Sequence, residues 1–280
     1  MTDTATTLRQ AQRPDLGPVK PGWSPATERR LRVIAPIVVG LTVLGVWQFL
    51  VSVAGVSDYL LPSPAAIGAQ LVEFGPAIAQ AAGVTGVNAL VGLVVGTVLA
   101  LLLAALAARW PAVDGMSAPI VAALAVVPIV ALAPVLNSMF GADSQFGRQA
   151  IAALASFVPV FINTLRGLRQ TQPVHRDLMR SYSASGAQSF RTVTLPTAIP
   201  YLLTGIRIAS SLAVISALVA EYFGGPRGGL GSFISTSAAT SAYARAWAYV
   251  VAAIALGLLF FLVTALIERL VLRRFPAGAR

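Results

Sequence analysis

Six stretches of this chain are apolar and free of charged side chains, and more polar segments separate them. A membrane-spanning helix needs about 20 mostly apolar residues. Four stretches reach that length alone and the fourth in order is marginal, whereas the fifth must extend back through Arg207. The pattern predicts an all-α polytopic membrane protein with six transmembrane helices, at about 33–54, 82–108, 117–139, 149–168, 199–220 and 246–268.

The largest polar segment, residues 169–198, lies between the fourth and fifth predicted spans. Its apolar residues recur every four positions or lie close to the same side, which predicts a short amphipathic helix. These residues are Val174, Leu178, Met179, Tyr182, Gly186 and Phe190. The run from Val193 to Pro196, followed by Pro200, is expected to end that helix and start the next one. An apolar face on the main loop of a membrane protein predicts a docking surface for a partner.

Positive charge alternates from one side of the predicted membrane to the other. With the N-terminus inside, the cytoplasmic side holds most of the 20 Lys and Arg residues, as the positive-inside rule requires. Both termini and residues 169–198 are therefore predicted to be cytoplasmic. Residues 1–32 are predicted to be a disordered tail, residues 33–275 the membrane domain and residues 276–280 a short tail. This topology accounts for the net charge of +10 without a nucleic acid partner.

Composition excludes several classes of enzyme. Only 11% of the residues are charged, against about 25% in an ordinary soluble protein, so a soluble α/β enzyme is excluded. No cysteine is present, and the single histidine, His175, lies in the polar loop. The only lysine, Lys20, is followed by proline and cannot complete a phosphate-binding P-loop. We therefore predict no catalytic residue, no metal site and no cofactor on this chain, and any ATP is used by another polypeptide.

Small residues recur every four positions in the second and fifth predicted spans, which favours close helix packing. In the second span the stripe predicts packing within the chain. In the fifth span, where it contains Ala213 and Ala217 and points toward Glu221, a partner subunit or a translocation path is an equal alternative. Arg207 is expected to extend its side chain to the membrane interface.

Three residues of the third predicted span suggest either a structural kink or the lining of a pore. Pro128 and Pro134 each remove a backbone hydrogen bond near mid-membrane, and Asn137 comes after them. Glu221 is expected at the outer edge of the fifth span, before a glycine-rich loop. The apolar, Ser-rich segment after that loop, residues 233–241, predicts a short surface or re-entrant helix.

The polar loop, the fifth span and the glycine-rich loop after it together resemble the permease subunits of bacterial ABC importers. The residues that carry this resemblance are Ser185-Gly186-Ala187, Phe190, Val193, Leu195-Pro196, Ala198, Pro200, Gly205-Ile206-Arg207-Ile208-Ala209, Ala220-Glu221 and Gly229-Leu230-Gly231. The run from Leu61 to Pro64 and the span with two prolines also match. More narrowly, the chain resembles the nitrate/sulfonate/taurine type, with the MetI-like fold of the inner-membrane components of binding-protein-dependent transport systems.

The resemblance implies a coupling helix in the cytoplasmic loop that binds an ABC ATPase subunit. The residues implied in docking are Arg180, Tyr182, Ser183, Gly186, Ala187, Phe190, Leu195 and Pro196. The chain has Arg180-Ser181-Tyr182 where the family prefers an acidic residue and two alanines. ATP and Mg²⁺ would be bound by the ATPase.

The resemblance also implies a multi-pass protein of the bacterial cell membrane, surrounded by lipid. A second permease copy and an extracytoplasmic solute-binding protein would complete the importer. Nitrate, alkanesulfonates, taurine and vitamin precursors are the implied solutes. The translocation path would be lined by Pro128, Pro134, Asn137, Ala213, Ala217 and Glu221.

The alternative function is an ion-coupled secondary transporter or channel that needs no ATPase. Such proteins usually carry carboxylates inside the membrane, and here Glu221 is expected only at the edge of a span. An intramembrane enzyme ranks last, because the chain offers no nucleophile, base or set of metal ligands.

Overall fold

The computed structural model describes residues 25–53, 55–57, 59–141, 144–224 and 228–274. Within them the regular structure is helical, and five helices are long and apolar enough to cross a membrane. A sixth span is counted if one bent pair of helices forms a single crossing. The prediction of a polytopic all-α protein is confirmed. Residues 1–24 of the predicted tail at 1–32, and the predicted tail at 276–280, lie outside the described residues.

The described part of the chain contains eleven α-helices. They are α1 (Pro25–Val53), α2 (Pro64–Glu73), α3 (Gly75–Arg109), α4 (Pro111–Val126), α5 (Ile129–Phe140), α6 (Phe146–Arg169), α7 (Pro173–Ser181), α8 (Gly186–Ser189), α9 (Leu195–Phe223), α10 (Leu230–Ala239) and α11 (Tyr243–Arg274). A π-helical turn, Phe190–Thr194, joins α8 to α9.

The residues of helix α1 up to Leu50 belong to one compact unit, and the chain from Val51 onward forms a second unit. Apolar side chains along it, such as Ile37, Leu41 and Phe49, are more than half exposed, which is typical of a helix that faces lipid. The helix begins at Pro25, so residues 25–32 are helical although the sequence placed them in the tail.

The third predicted span is broken rather than merely kinked. Helices α4 and α5 meet at an angle of 94°. Val127, which precedes Pro128, has φ −59° and ψ 123°, a conformation outside the helical region that a following proline favours. Pro134 lies inside α5, which has 12 residues and is too short to span a bilayer alone.

Helices α3, α6 and α9 form the centre of the second unit, and small residues let them approach closely. Gly96 of α3 faces Ser156 of α6, and a Cβ atom at Gly96 would lie 2.9 Å from the Ser156 Cβ. Gly205 of α9 faces Pro159 and Val160 of α6. The prediction of internal packing is confirmed for the second span, and the small-residue stripe of the fifth span also packs within the chain.

The polar loop differs from its prediction in two ways. Helix α7 ends at Ser181, and Ser183 has a φ of 53°, so the expected amphipathic helix is two short helices separated by a turn. Beyond the turn the chain is helical without interruption over Gly186–Phe223. Pro196 and Pro200 therefore end no helix. The π-helical turn widens the backbone immediately before Pro196, which relieves the clash between a proline ring and the preceding turn.

Candidate functional site

Five polar side chains that are distant in sequence meet near one end of the α3, α6 and α9 bundle. They form what we call the polar cluster: Thr85, Asn88, Gln145, Arg148 and Glu221. Arg148 and Glu221 have no exposed surface, and Thr85 and Asn88 are buried almost as completely. Charges are this deeply buried only when they are paired and hydrogen-bonded.

Hydrogen bonds to the Glu221 carboxylate come from α3. The Thr85 hydroxyl donates to Glu221 Oε2 at 2.7 Å, and Asn88 Nδ2 donates to Glu221 Oε1 at 3.2 Å. The Arg148 guanidinium adds a favourable charge interaction with the same carboxylate. Each carboxylate oxygen therefore has a donor, and the negative charge has a nearby positive one.

The amide of Asn88 connects this carboxylate to α6. Its Nδ2 also donates to Gln145 Oε1 at 2.9 Å, and its Oδ1 accepts from Gln149 Nε2 at 3.2 Å. Gln145 Oε1 in turn accepts from Arg148 Nη1 at 2.8 Å. Asn88 thus uses both amide hydrogens and its oxygen, and it fixes the relative positions of α3, α6 and α9.

The cluster also holds the start of α10. The backbone N–H of Leu230 donates to Thr85 Oγ1 at 2.9 Å, and that of Gly231 donates to Glu221 Oε2 at 3.2 Å. These N–H groups belong to the first turn of α10, where a helix has no internal acceptors for them. Gly229 packs so closely on the Glu221 carboxylate that no larger side chain fits there.

Sequence reasoning missed the cluster as a unit. Arg148 directly precedes a charge-free stretch, a pattern that on its own predicts an outer loop, yet it lies in the first turn of α6 and is fully buried. Glu221 was expected at the edge of a span, and the structure places it two residues before the end of α9. The available signal was that two opposite charges occur at the same predicted depth on adjacent spans.

A second ionic contact lies nearer the opposite end of the bundle, where α6 ends and α9 begins. Arg207 Nη1 of α9 lies 3.0 Å from Glu268 Oε2 of α11, and the Thr204 hydroxyl donates to Glu268 Oε1 at 3.2 Å. The Arg207 guanidinium also lies 5.8 Å from the centre of the Phe261 ring. Arg207 therefore has a carboxylate partner within the chain. The sequence predicted only that its side chain extends to the membrane interface.

The residues expected to dock a partner are largely exposed. Tyr182 is 76% exposed, Phe190 46% and Leu195 41%. Nothing lies within 4 Å of the position that a Cβ atom would take at Gly186. Arg180, Ser183 and Ala187 are also exposed, and Pro196 is partly buried in the first turn of α9. These residues therefore lie in the turn, on the two short helices beside it, in the π-helical turn and in the first turn of α9.

The residues expected to line a path are divided between exposed and buried positions. Pro128 and Pro134 are exposed at the bent pair, whereas Asn137 is 9% exposed beside Gly224. Ala213, Ala217 and Glu221 have no exposed surface and lie between helices of the same chain. Path lining remains a prediction for all six, and the burial of the last three does not favour it.

Two grooves open on the faces of α6. One, of 530 Å³, lies between α4 and α6 and is bordered by Asp114 and Arg169, whose side chains approach to 2.6 Å. The other, of 420 Å³, is lined by apolar residues of α3 and α6 together with Gln149. In the described part of the chain, no three Asp, Glu or His side chains converge as a metal site would require.

Comparison with known proteins gives a consistent assignment. The family described as "Binding-protein-dependent transport system inner membrane component" matches residues 92–275. The formylaminopyrimidine transport permease protein ThiX of Halalkalibacterium halodurans is 31% identical, over 74% of this chain and 82% of that protein. The riboflavin transport system permease protein RibX of Chloroflexus aurantiacus is 32% identical, over 68% and 70%.

A third relative is named for a different kind of solute. The putative aliphatic sulfonates transport permease protein SsuC of Escherichia coli is 30% identical, over 71% of this chain and 75% of that protein. The matched region contains most of the polar cluster's helices as well as the exposed loop. The chain therefore belongs to the family of binding-protein-dependent transport system inner membrane components, the permease subunits of ABC importers.

Proposed function

We propose that this permease carries a small organic or oxyanionic solute across a bacterial cell membrane, after an extracytoplasmic binding protein delivers it. The family match over residues 92–275 is the observation that carries this proposal. The relatives are named for a formylaminopyrimidine, riboflavin and aliphatic sulfonates, which are small but chemically diverse. The solute of this chain is expected to lie in the same range.

The energy for transport is proposed to come from ABC ATPase subunits that dock on α7, α8 and the turn between them. Support comes from the exposure of Val174 (67%), Leu178 (52%) and Tyr182 (76%), which lie on or directly after α7, a helix of 9 residues that is too short to cross the membrane. Arg176, Arg180 and Arg191 are exposed in the same polar segment. This combination fits a partner surface with apolar pockets and acidic surroundings.

The assembly is proposed to contain two copies of the chain, with both termini and residues 169–198 in the cytoplasm. The excess of Lys and Arg in these segments supports that orientation. The path is proposed to run beside the bent pair α4–α5, where Pro128 and Pro134 are exposed. Irregular backbone at membrane depth is tolerated where it is covered by protein or lines a water-filled cavity.

Reconstitution tests this function directly. The permease is placed in liposomes with its ATPase and binding protein, and uptake of radiolabelled candidate solutes is measured with ATP, without ATP, and with an ion gradient alone. Uptake that requires both ATP and the binding protein is expected. Uptake by the permease alone under an ion gradient would instead establish the secondary-transporter alternative.

A further inference from the structure

The two spans that flank the exposed loop are in contact along most of their length. At the loop end, Gly167 of α6 lies so close to α9 that a Cβ atom there would be 3.1 Å from the Ala198 Cα. In the middle, Gly205 of α9 fits equally closely against Val160 of α6. At the far end both helices contribute to the polar cluster, through Arg148 and Glu221. Helices α6 and α9 are therefore expected to move together.

Helix α10 is held to this pair by a carboxylate as well as by apolar contact. Its first turn donates two backbone hydrogen bonds to the cluster, at Thr85 and Glu221, and the Ser232 hydroxyl donates to the Glu221 carbonyl at 3.3 Å. On its other side Phe233 stacks on Tyr249 of α11, with ring centres 5.0 Å apart. Helix α10 can thus move together with either the α6–α9 pair or α11. The hydrogen bond to the Glu221 carboxylate favours movement with the α6–α9 pair.

We propose that Glu221 is a positioning residue for transport, which clamps α10 to the two spans flanking the ATPase-docking loop. The carboxylate joins α10 to α3 and α9 directly, and Asn88 and Gln145 extend the connection to α6. Movement imposed at the loop is then reproduced by α10 at the opposite end. This inference rests on the proposed function, and it gives Glu221 an internal role in place of path lining.

The hydrogen-bond directions suggest a variant pair that separates the clamp from simple loss of folding. In Glu221→Gln, an NH₂ group can face the Asn88 NH₂ and the charge opposite Arg148 is lost. In Asn88→Asp, two buried carboxylates face each other. The double variant reverses donor and acceptor between positions 88 and 221, because the amide introduced on α9 donates to the carboxylate introduced on α3. It does not restore the hydrogen bond from position 88 to Gln145 Oε1. One carboxylate then remains in the cluster with Arg148.

Distance measurements test the clamp in the permease itself. The chain contains no cysteine, so Thr236→Cys on α10 and Ile208→Cys on α9, both exposed, accept a pair of spin labels without further substitution. In lipid vesicles, with labelled chain diluted into an excess of unlabelled chain so that only distances within one chain are measured, the starting chain should give one narrow distance distribution. Each single variant should broaden the distance distribution, and the double variant should give a narrower distribution than either single variant. Glu73→Gln, which changes an exposed carboxylate of α2, should leave it narrow.

Solute uptake per ATP hydrolysed tests the consequence in the complete importer. Substitutions along a coupling network typically change coupling by about two- to thirtyfold. A loss of that size is expected in each single variant, with recovery in the double variant. A narrow distribution in Glu221→Gln would overturn the clamp, and broadening with undiminished uptake per ATP would overturn its role in transport. Absence of ATP-dependent uptake by the unsubstituted importer would refute the proposed function alone, because the distance test needs only the permease.

Discussion

The two ends of the helical bundle differ in whether their side chains are buried against partners from the same chain. At the cluster end, Arg148 and Glu221 are completely buried and their partners come from the same polypeptide. At the loop end, Leu178 and Tyr182 are more than half exposed, and Gly186 faces open space. The partners described for the first region come from the chain itself, whereas the partner proposed for the second region is another protein. Substitutions should therefore affect stability at one end and assembly at the other.

Removal of the Glu221 side chain should have the largest effect on the isolated permease. Glu221→Leu removes a negative charge that attracts Arg148, and it removes the acceptor of Thr85, Asn88 and Gly231. Each buried donor that loses its acceptor costs about 1–3 kcal/mol, and this substitution affects three of them. We expect a strong decrease in melting temperature, measured in detergent by tryptophan fluorescence. Glu73→Leu, at an exposed position, is the control, and equal melting of the two variants would contradict the role of the cluster.

Overpacking the α3–α6 contact should have the next largest effect. Gly96→Val places methyl groups against Ser156 and the backbone of Ala153, where even one Cβ atom is too close. Overpacking in a tight core costs about 1–3 kcal/mol. The same thermal measurement applies. Gly83→Val, in the same helix but with no neighbour within 4 Å, should change stability by a small fraction of that amount.

Loss of the Arg207–Glu268 pair should cost less than loss of the cluster. The Arg207 side chain is 36% exposed, and Glu268 keeps the hydrogen bond from Thr204. Pairs that remain partly in contact with solvent contribute roughly 1 kcal/mol or less. We expect Arg207→Met to lower the melting temperature only slightly. A decrease in melting temperature as large as that of Glu221→Leu would contradict the smaller contribution expected of the Arg207–Glu268 pair.

Gly186→Trp should have the smallest effect on the isolated chain and the largest on assembly. No atom of the described residues lies within 4 Å of a Cβ atom at this exposed position, so melting should be unchanged. Co-purification with the ATPase and ATP-dependent uptake should be lost. Gly115→Trp is the matched control, because Gly115 is also exposed, helical and unobstructed but lies outside the loop. Normal ATPase binding by Gly186→Trp would contradict the docking assignment.

Charge-free stretches predicted the membrane helices because a span must exclude charge over a fixed length. Local chemistry also predicted the short helix that became α10. Two features escaped this reasoning for different physical reasons. Thr85 and Glu221 are 136 residues apart, and spacing along a chain carries no information about such a contact. Pro196 was interpreted as a helix end, whereas the π-helical turn allows the helix to continue through it.

The uninterrupted helix from Gly186 to Phe223 has a geometric consequence. Its 38 residues, at about 1.5 Å each, make a rod roughly 57 Å long. The hydrocarbon interior of a bilayer is only about 30 Å thick. A considerable part of the rod must therefore project beyond the lipid tails even when it is tilted. A protein that binds the projecting end contacts the helix at a distance from the headgroups. If the helix is rigid, a small tilt of that end also displaces the end inside the membrane.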